Sequence, residues 1–452
     1  MSQALSPLLE SLRDFPAATT AEATATAAAS ASASAAVSAA ASNEAGAQAR
    51  QREALDRALH NGLPTQRAER WKYTSLRALS ARRFVATAAT PSLHPALLAD
   101  IPMPRMVFVN GRFDAALSDL RDLPEGLAWS RQADAAQDTP TAGDSANASG
   151  RDSFDDLNAG LSRDGAILKV ADGIHVQEPV HLVFVGAPAE RDIAFHLRHR
   201  IDLGDGARLA VVEHHLAGGA HRHFANQHVA LRLGVGAKLV HARIQDEDAG
   251  ATLVERTHAL LDADAALRRI DLELGAGLCR HDLTVSLLGA GSSVESGGAL
   301  LASGRRHLDT QLDVRHVARD TRSDLLWRGL AADRGRLAFH GGIHIFAGAD
   351  GSEAALSNKN LLLSDQAEVD TQPVLQIDAD EVKAAHGATV GQLDPTALFY
   401  LRSRGLPYTE ARTLLTLAFC REALSVIADA DLVALLSPRL EARLLEVGEF
   451  AA

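Results

Sequence analysis

Nineteen histidines and two cysteines give this 452-residue chain its widest chemical reach. His214, His215, His221, His223 and His228 crowd into one short stretch, and neutral imidazole is a common metal ligand. Their neighbours are largely charged, so they are expected to point outward with no metal role. His340 and His344 are four apart in FHGGIHIF, but the zincin pattern needs Glu after the first His. Gly341-Gly342 and the alternating Ile343 and Ile345 predict a strand there, with no third ligand. Asp309, Asp313, Asp320 and Asp324 evoke the paired carboxylates of polysaccharide-cleaving enzymes. That alternative asks for a secreted chain with stacking aromatics. No GxxxxGK[ST] phosphate loop occurs, so any ATP hydrolysis belongs to a partner. Cys279, in a predicted strand, and Cys420, on an apolar helix face, read as core residues.

Composition narrows the classes further. Apolar residues make up 46% and aromatics only 4%, so the core must be built from thin aliphatic layers. The net charge of −12 and the lack of a basic stripe argue against nucleic-acid binding, which is driven by counterion release. Two cysteines far apart exclude a disulfide framework and fit a reducing compartment. They also fall short of the roughly four thiolates that an iron–sulfur cluster takes. No apolar run reaches the ~20 residues of a membrane span. The opening MSQALSPLLESLRDFP lacks a basic region before a leucine-rich core, so a cytoplasmic location without membrane contact is expected.

The elements that must position any site fall into four stretches. Residues 1–90 read as an N-terminal helical region with an Ala/Ser-rich insert at 17–48, which has no amphipathic stripe and is expected to be mobile or weakly helical, with a continuous surface helix as the alternative. REALDRALH places Leu55 and Leu59 on one helical face, and Asn61-Gly62 stops the helix. Residues 91–164 mix short strands, including an Asn110-Gly111 hairpin signal, with a small-residue linker at 137–153.

Residues 165–392 change to period two. In AFHLRHRIDLG, Phe195, Leu197, Ile201 and Leu203 point one way, and His196, Arg198, Arg200 and Asp202 the other. A turn recurs as LGDGARL (203–209), LGVGAKL (233–239), LDADAAL (261–267) and LGAGSSV (288–294), with weaker copies AADRGRL (331–337) and LSDQAEV (363–369). The starts lie 30, 28, 27, 43 and 32 residues apart. Such a period signals stacked coils, with Leu209, Leu239 and Leu267 in an inner ladder and Gly206, Gly236 and Gly291 at corners needing positive φ. The long interval is expected to hold an extra strand pair or a loop. The fold class is mainly β, a central right-handed parallel β-helix flanked by helical regions.

Residues 393–452 return to helix. Asp394 is a predicted N-cap with Pro395 at the first position, and Gly405-Leu406-Pro407 separates two helices. Leu414, Leu417, Ala418 and Leu424 are expected to share the buried face, and a third helix is expected to start at Pro438. The last β-helix strands, around VLQIDADEVKAAHG, should end as an exposed edge, which invites pairing with another chain.

The segment HGATVGQLDPTALFYLRSRG (386–405) resembles the C-terminal signature of the SufB/SufD family of iron–sulfur cluster assembly proteins. The order of segments and the WKYT stretch at 71–74 match the same family, over about residues 49–450, and lie nearer its SufD branch than its SufB branch. The resemblance implies a scaffold and not an enzyme. It would pair with SufB through the β-helix and bind the SufC ATPase through the C-terminal helices, with a homodimer of the isolated chain left open. His386 resembles the family histidine at that interface, a ligand for a nascent iron–sulfur cluster shared transiently with SufB and not held by this chain alone. Read from the residues, His386 is equally a turn histidine capping backbone. Family members carry Cys-Ser ahead of it, whereas this chain has Ala384 and Ala385, so metal held there must lean on SufB. For SufC, Leu398, Phe399, Tyr400, Leu401, Leu414 and Leu415 offer apolar surface, and Arg402 and Arg404 could meet acidic groups, with Tyr400 and Arg402 the strongest candidates.

Overall fold

The computed structural model describes residues 5–15, 34–87, 91–121, 123–134, 151–427 and 429–449. Most of the linker at 137–153, and 17–33 of the Ala/Ser-rich insert, lie outside them.

Residues from Ala166 to Gly391 wind into a parallel β-solenoid of sixteen strands, eight in each of two sheets, consecutive strands alternating between sheets. Alternation of apolar and polar residues forms each strand, and a short corner of four or more residues carries the chain to the opposite sheet. Gly206, Gly236 and Gly291 hold φ of 67°, 67° and 73° at one corner. Asp264 takes φ 58° in the turn without glycine, a conformation its short polar side chain tolerates. Leu209, Leu239, Leu267 and Val294 stack in register as an inner ladder, each no more than 3% exposed. Burying each contributes roughly 1.5–3 kcal/mol.

The 43-residue interval holds neither an inserted pair nor a loop. AADRGRL and LSDQAEV join the second sheet back to the first, so they belong to the opposite corner of the coil. On the first corner the series continues at residues 317–321 and 346–352, and the interval is one and a half ordinary coils.

The histidines are a second correction. His214, His215, His221, His223 and His228 are all buried, none more than 7% exposed. Helices cover the outer faces of both sheets, and His215 points into the solenoid itself, so local polarity was no guide to exposure. The aspartates do not cluster either. Asp309 is buried against Arg280, Asp313 pairs with Arg315, Asp320 turns a corner beside Arg319, and Asp324 lies on the other sheet. Cys279 and Cys420 are free and buried, and burial pushes both thiols up.

The N-terminal segments clamp the first sheet's outer face. The Ala-rich sequence from Ser34 is part of one helix, Ser34–Asn61, the alternative to a mobile or weakly helical insert; Ala47, Ala54 and Ala58 are buried, so small side chains permit close packing. Gly62 ends it at φ 69°. Helix Ser153–Leu161 begins with an Asp152 capping box, and Asn158 Nδ2 donates to the carbonyls of Leu197 and Asn226 at 2.9 Å each, tying two adjacent strands. Trp71 of the WKYT segment stacks on Phe154 and donates to Asp152 at 2.8 Å, while Thr74 bonds Asp309 and His307.

The C-terminal helices Tyr408–Arg421 and Ala430–Glu449 cover the other sheet. Leu432, Leu436, Leu440 and Leu444 lie on Ile244, Ile270, Leu272 and Leu301. Gly297 permits the approach, since a Cβ there would meet the Ala423 carbonyl at 2.4 Å. Pro438 sits inside the last helix and not at its start, because this four-residue leucine stripe runs through it and outweighs the lost hydrogen bond. In the preceding helix the buried face is Ala411, Arg412, Thr416 and Cys420, while Leu414 is 48% exposed. Ala411, Thr416 and Cys420 seat that helix, so Leu414 turns outward while Leu417 packs against the covered sheet.

The clamp rests on charge. Burial alone would raise the Asp282 carboxyl, but Arg280, Arg70 and Arg256 hold it well below the usual range. Replacing Asp282 with Asn should destabilise by about 3–5 kcal/mol, read by chemical unfolding, because two buried guanidiniums lose a shared carboxylate. A depressed carboxyl contributes stability that is complete above pH ~4 and lost as pH falls below it. Wild-type stability should therefore drop at acid pH more steeply than that of Asp282→Asn.

Candidate functional site

A stack of parallel strands satisfies each strand's backbone from the one beside it, and the arrangement must stop somewhere. Here it stops at Glu368–Ile377 in one sheet and Lys383–Gly391 in the other, each the terminal strand of its sheet among the described residues. Interior strands are buried almost throughout, whereas these two carry no buried residue. Val374, Ile377 and Val390 are 37%, 43% and 43% exposed, so the rung is apolar as well as unpaired. Exposed edges of this kind recruit another strand.

His386 lies on that last strand and is exposed. It stands in register with Leu356, which continues through Leu325, Ser296 and Arg269 to His241 along a ladder of inward positions. The imidazole therefore occupies the place where the solenoid's interior opens to the outside. Ala384 belongs to the neighbouring inward ladder, ending the column of Leu209, Leu239 and Leu267, and Ala385 takes the opposite face. A donor atom at 384 would share a face with His386; the methyl group present supplies none.

The second surface follows immediately. Asp394 caps helix Pro395–Ser403, accepting from the Thr396 amide at 2.8 Å. That helix has no buried residue. Phe399 is 72% and Tyr400 55% exposed, Leu398, Leu401 and Leu415 are half-buried, and Arg402 and Arg404 are exposed. Arg404 donates to the Tyr400 hydroxyl at 3.1 Å and lies over its ring, and Arg402 lies over Tyr408. Gly405, at φ 95°, turns the chain so that Phe399, Arg402, Leu406, Pro407 and Tyr408 line a shallow concavity of about 480 Å³. Aromatic and arginine side chains dominate binding hot spots.

The structure thus groups Phe399, Tyr400, Arg402 and Arg404 into one aromatic–cationic patch and gives His386 to a separate feature, the open rung. Sequence reasoning did not single out Val374, Ile377, Val390 or Tyr408, although it placed the first two in the exposed edge segment. The first three were legible as period-two apolar residues on the final strands, once the stack was known to end there. It also missed a charged cluster inside the solenoid, although Glu213 and His215 continue the inward alternation that starts at Leu209 and Val211.

Comparison with known proteins agrees with this architecture. Residues 185–419 match the family model of the SUF system FeS cluster assembly SufBD core domain, and residues 32–182 that of the SufBD protein N-terminal region. The iron–sulfur cluster assembly protein SufD of Escherichia coli is 31% identical, over 86% of this chain and 91% of its own length. An iron–sulfur cluster assembly SufBD family protein of Synechocystis is 30% identical, over 82% of this chain and 85% of its own. SufD of Bacillus subtilis is 27% identical over 58% and 60%. The two family matches and the near full-length likeness show that the chain belongs to the SufB/SufD family of iron–sulfur cluster assembly proteins, as a homologue of SufD.

Proposed function

We propose that this chain is a non-catalytic scaffold subunit of a cytoplasmic iron–sulfur cluster assembly complex, pairing with SufB through its last solenoid rung and holding the SufC ATPase on its C-terminal helices. One observation carries the reading: the open apolar rung bears His386 at the inward register position where the stack ends. A partner's edge strand would complete both sheets and bring its own side chains up to His386. The nascent cluster is then cargo between two chains. His386 supplies one imidazole, and SufB supplies thiolates that this chain lacks at Ala384 and Ala385. Dimerisation of SufC on ATP would pull on the helical patch and strain the interface beneath it. In isolation, the same edge would accept a second copy of this chain.

Val374→Lys combined with Val390→Lys places charge on the edge without touching the buried core. It should abolish co-purification of SufB while leaving SufC bound; undiminished SufB recovery would sink the pairing. Phe399→Asp should cost at least about 2 kcal/mol of SufC binding, roughly 30-fold in affinity, measured by calorimetry. Binding at wild-type strength would move the ATPase elsewhere. His386→Ala should leave fold, SufB and SufC contacts intact and lower the iron content of the co-expressed three-protein complex. Unchanged iron would remove His386 as a ligand.

A further inference from the structure

Within the solenoid, between the two sheets, the aliphatic ladders give way to a polar cluster that the assembly role does not use. Glu213, His215, His241, Arg243, Glu255, Arg269, Asp271, Glu273, Cys279 and His281 are each 0–1% exposed. Four carboxylates face two guanidiniums there. Arg269 takes both oxygens of Asp271 at 2.7–3.1 Å. Arg243 pairs with Glu273 and, through Nε at 2.9 Å, with Glu255 Oε1. Glu273 Oε2 accepts from the Cys279 thiol at 3.1 Å. Arg269 also donates to His241 Nδ1 at 2.8 Å, so His241 carries its proton on Nε2 and gives it to Glu213 Oε1 at 2.9 Å.

Glu255 Oε1 has its ion pair with Arg243 but makes no hydrogen bond; two further oxygens have no guanidinium, and both face one ring. Glu213 Oε2 and Glu255 Oε2 make no hydrogen bond, and neither nitrogen of His215 makes one. His215 Nε2 lies 3.4 Å from Glu255 Oε2 and 3.7 Å from Glu213 Oε2, and the three atoms fall within 4.8 Å of one another. Ligands bound to a tetrahedral transition ion at ~2.0–2.2 Å stand about 3.4 Å apart. A neutral imidazole could donate to only one of these carboxylates, leaving the other buried and unsatisfied. The trio Asp271, Glu273 and His281 has similar spacing, but its carboxylates are already taken by Arg269 and Arg243.

We propose that Glu213, His215 and Glu255 form an internal site for one divalent first-row transition ion such as Zn²⁺ or Co²⁺. The ion balances the two carboxylates in excess over the guanidiniums. It also joins the strands Arg208–Ala217 and Thr252–Leu261, which lie in opposite sheets. Its donors are nitrogen and oxygen, which suits this metal class. The site is sealed, so the ion enters as the chain folds.

The test is expression of the full chain in Co²⁺-supplemented medium, desalting through EDTA, and metal analysis per chain. The wild type should keep about one Co²⁺ with an imidazole-and-oxygen shell by X-ray absorption. His215→Ala and the bulkier His215→Gln should keep at least roughly tenfold less. His386→Ala, altered only at the open end, should keep the ion. A folded wild type that retains no cobalt, a shell containing sulfur or lacking imidazole, or equal retention by a folded His215 variant overturns the proposal. Should neither His215 variant fold, the wild-type stoichiometry and shell decide alone.

Discussion

Backbone pairing between parallel strands is the constraint on which the rest depends. Each coil supplies hydrogen-bond partners to the next and leaves one new edge, so a linear stack always has an unsatisfied last rung. The beginning of this stack is closed by the chain itself, where Leu127–Arg131 runs antiparallel to Ala166–Val170 and Arg112–Phe113 antiparallel to Arg105–Val109. Among the described residues nothing comparable closes the far end. The polarity of the molecule, closed at one end and open at the other, follows from that asymmetry.

The two outer faces are covered by different physics. The N-terminal elements add charge and aromatic stacking to an apolar cluster: Leu157 packs with Phe224 and Val254, Arg280 lies 4.1 Å over the Trp71 ring, and Arg256 reaches both Asp152 and Asp282. The C-terminal helices hold theirs through a leucine stripe and a glycine-permitted approach, with Arg443 pairing to Asp246 as the polar tether. Among the described helices only the short helix Pro395–Ser403 carries no buried residue. Its aromatic surface is thus the remainder after the sheet has been covered.

The interior is not uniformly apolar, and position along the axis decides its character. Near the beginning Phe108, Phe184 and Phe195 fill it, and toward the open end Trp327 and Phe339 do. The charged cluster lies between these aromatic plugs, out of reach of water. Burial on its own would protonate Glu255, whose carboxyl is raised even beside Arg243, whereas His241 and Arg269 outweigh burial at Glu213 and hold it low. Two carboxylates on one imidazole with opposed tendencies mark a place where the fold tolerates a large desolvation cost.

By itself the sequence determined the coil. Period-two alternation, a turn near every thirty residues and the corner glycines are local features, and local sterics act on each of them alone. The ladder of Leu209, Leu239 and Leu267, the Asp394 cap and the break at Gly405 were legible for that reason. The signature from 386 to 405 likewise carried the family. Only the tertiary structure decided what each outward face meets. A histidine between charged neighbours reads as solvated until a helix covers it or the strand turns it inward, so His214, His215 and His228 could not be placed from their surroundings in sequence. Leu414 and Ala418 read as core until Ala411, Thr416 and Cys420 were found seating the helix, with Leu417 packed beside them. Pro438 read as a helix start until the stripe from Leu432 to Leu444 was seen to run through it. Exposure depends on partners distant in the chain, and period alone does not encode them.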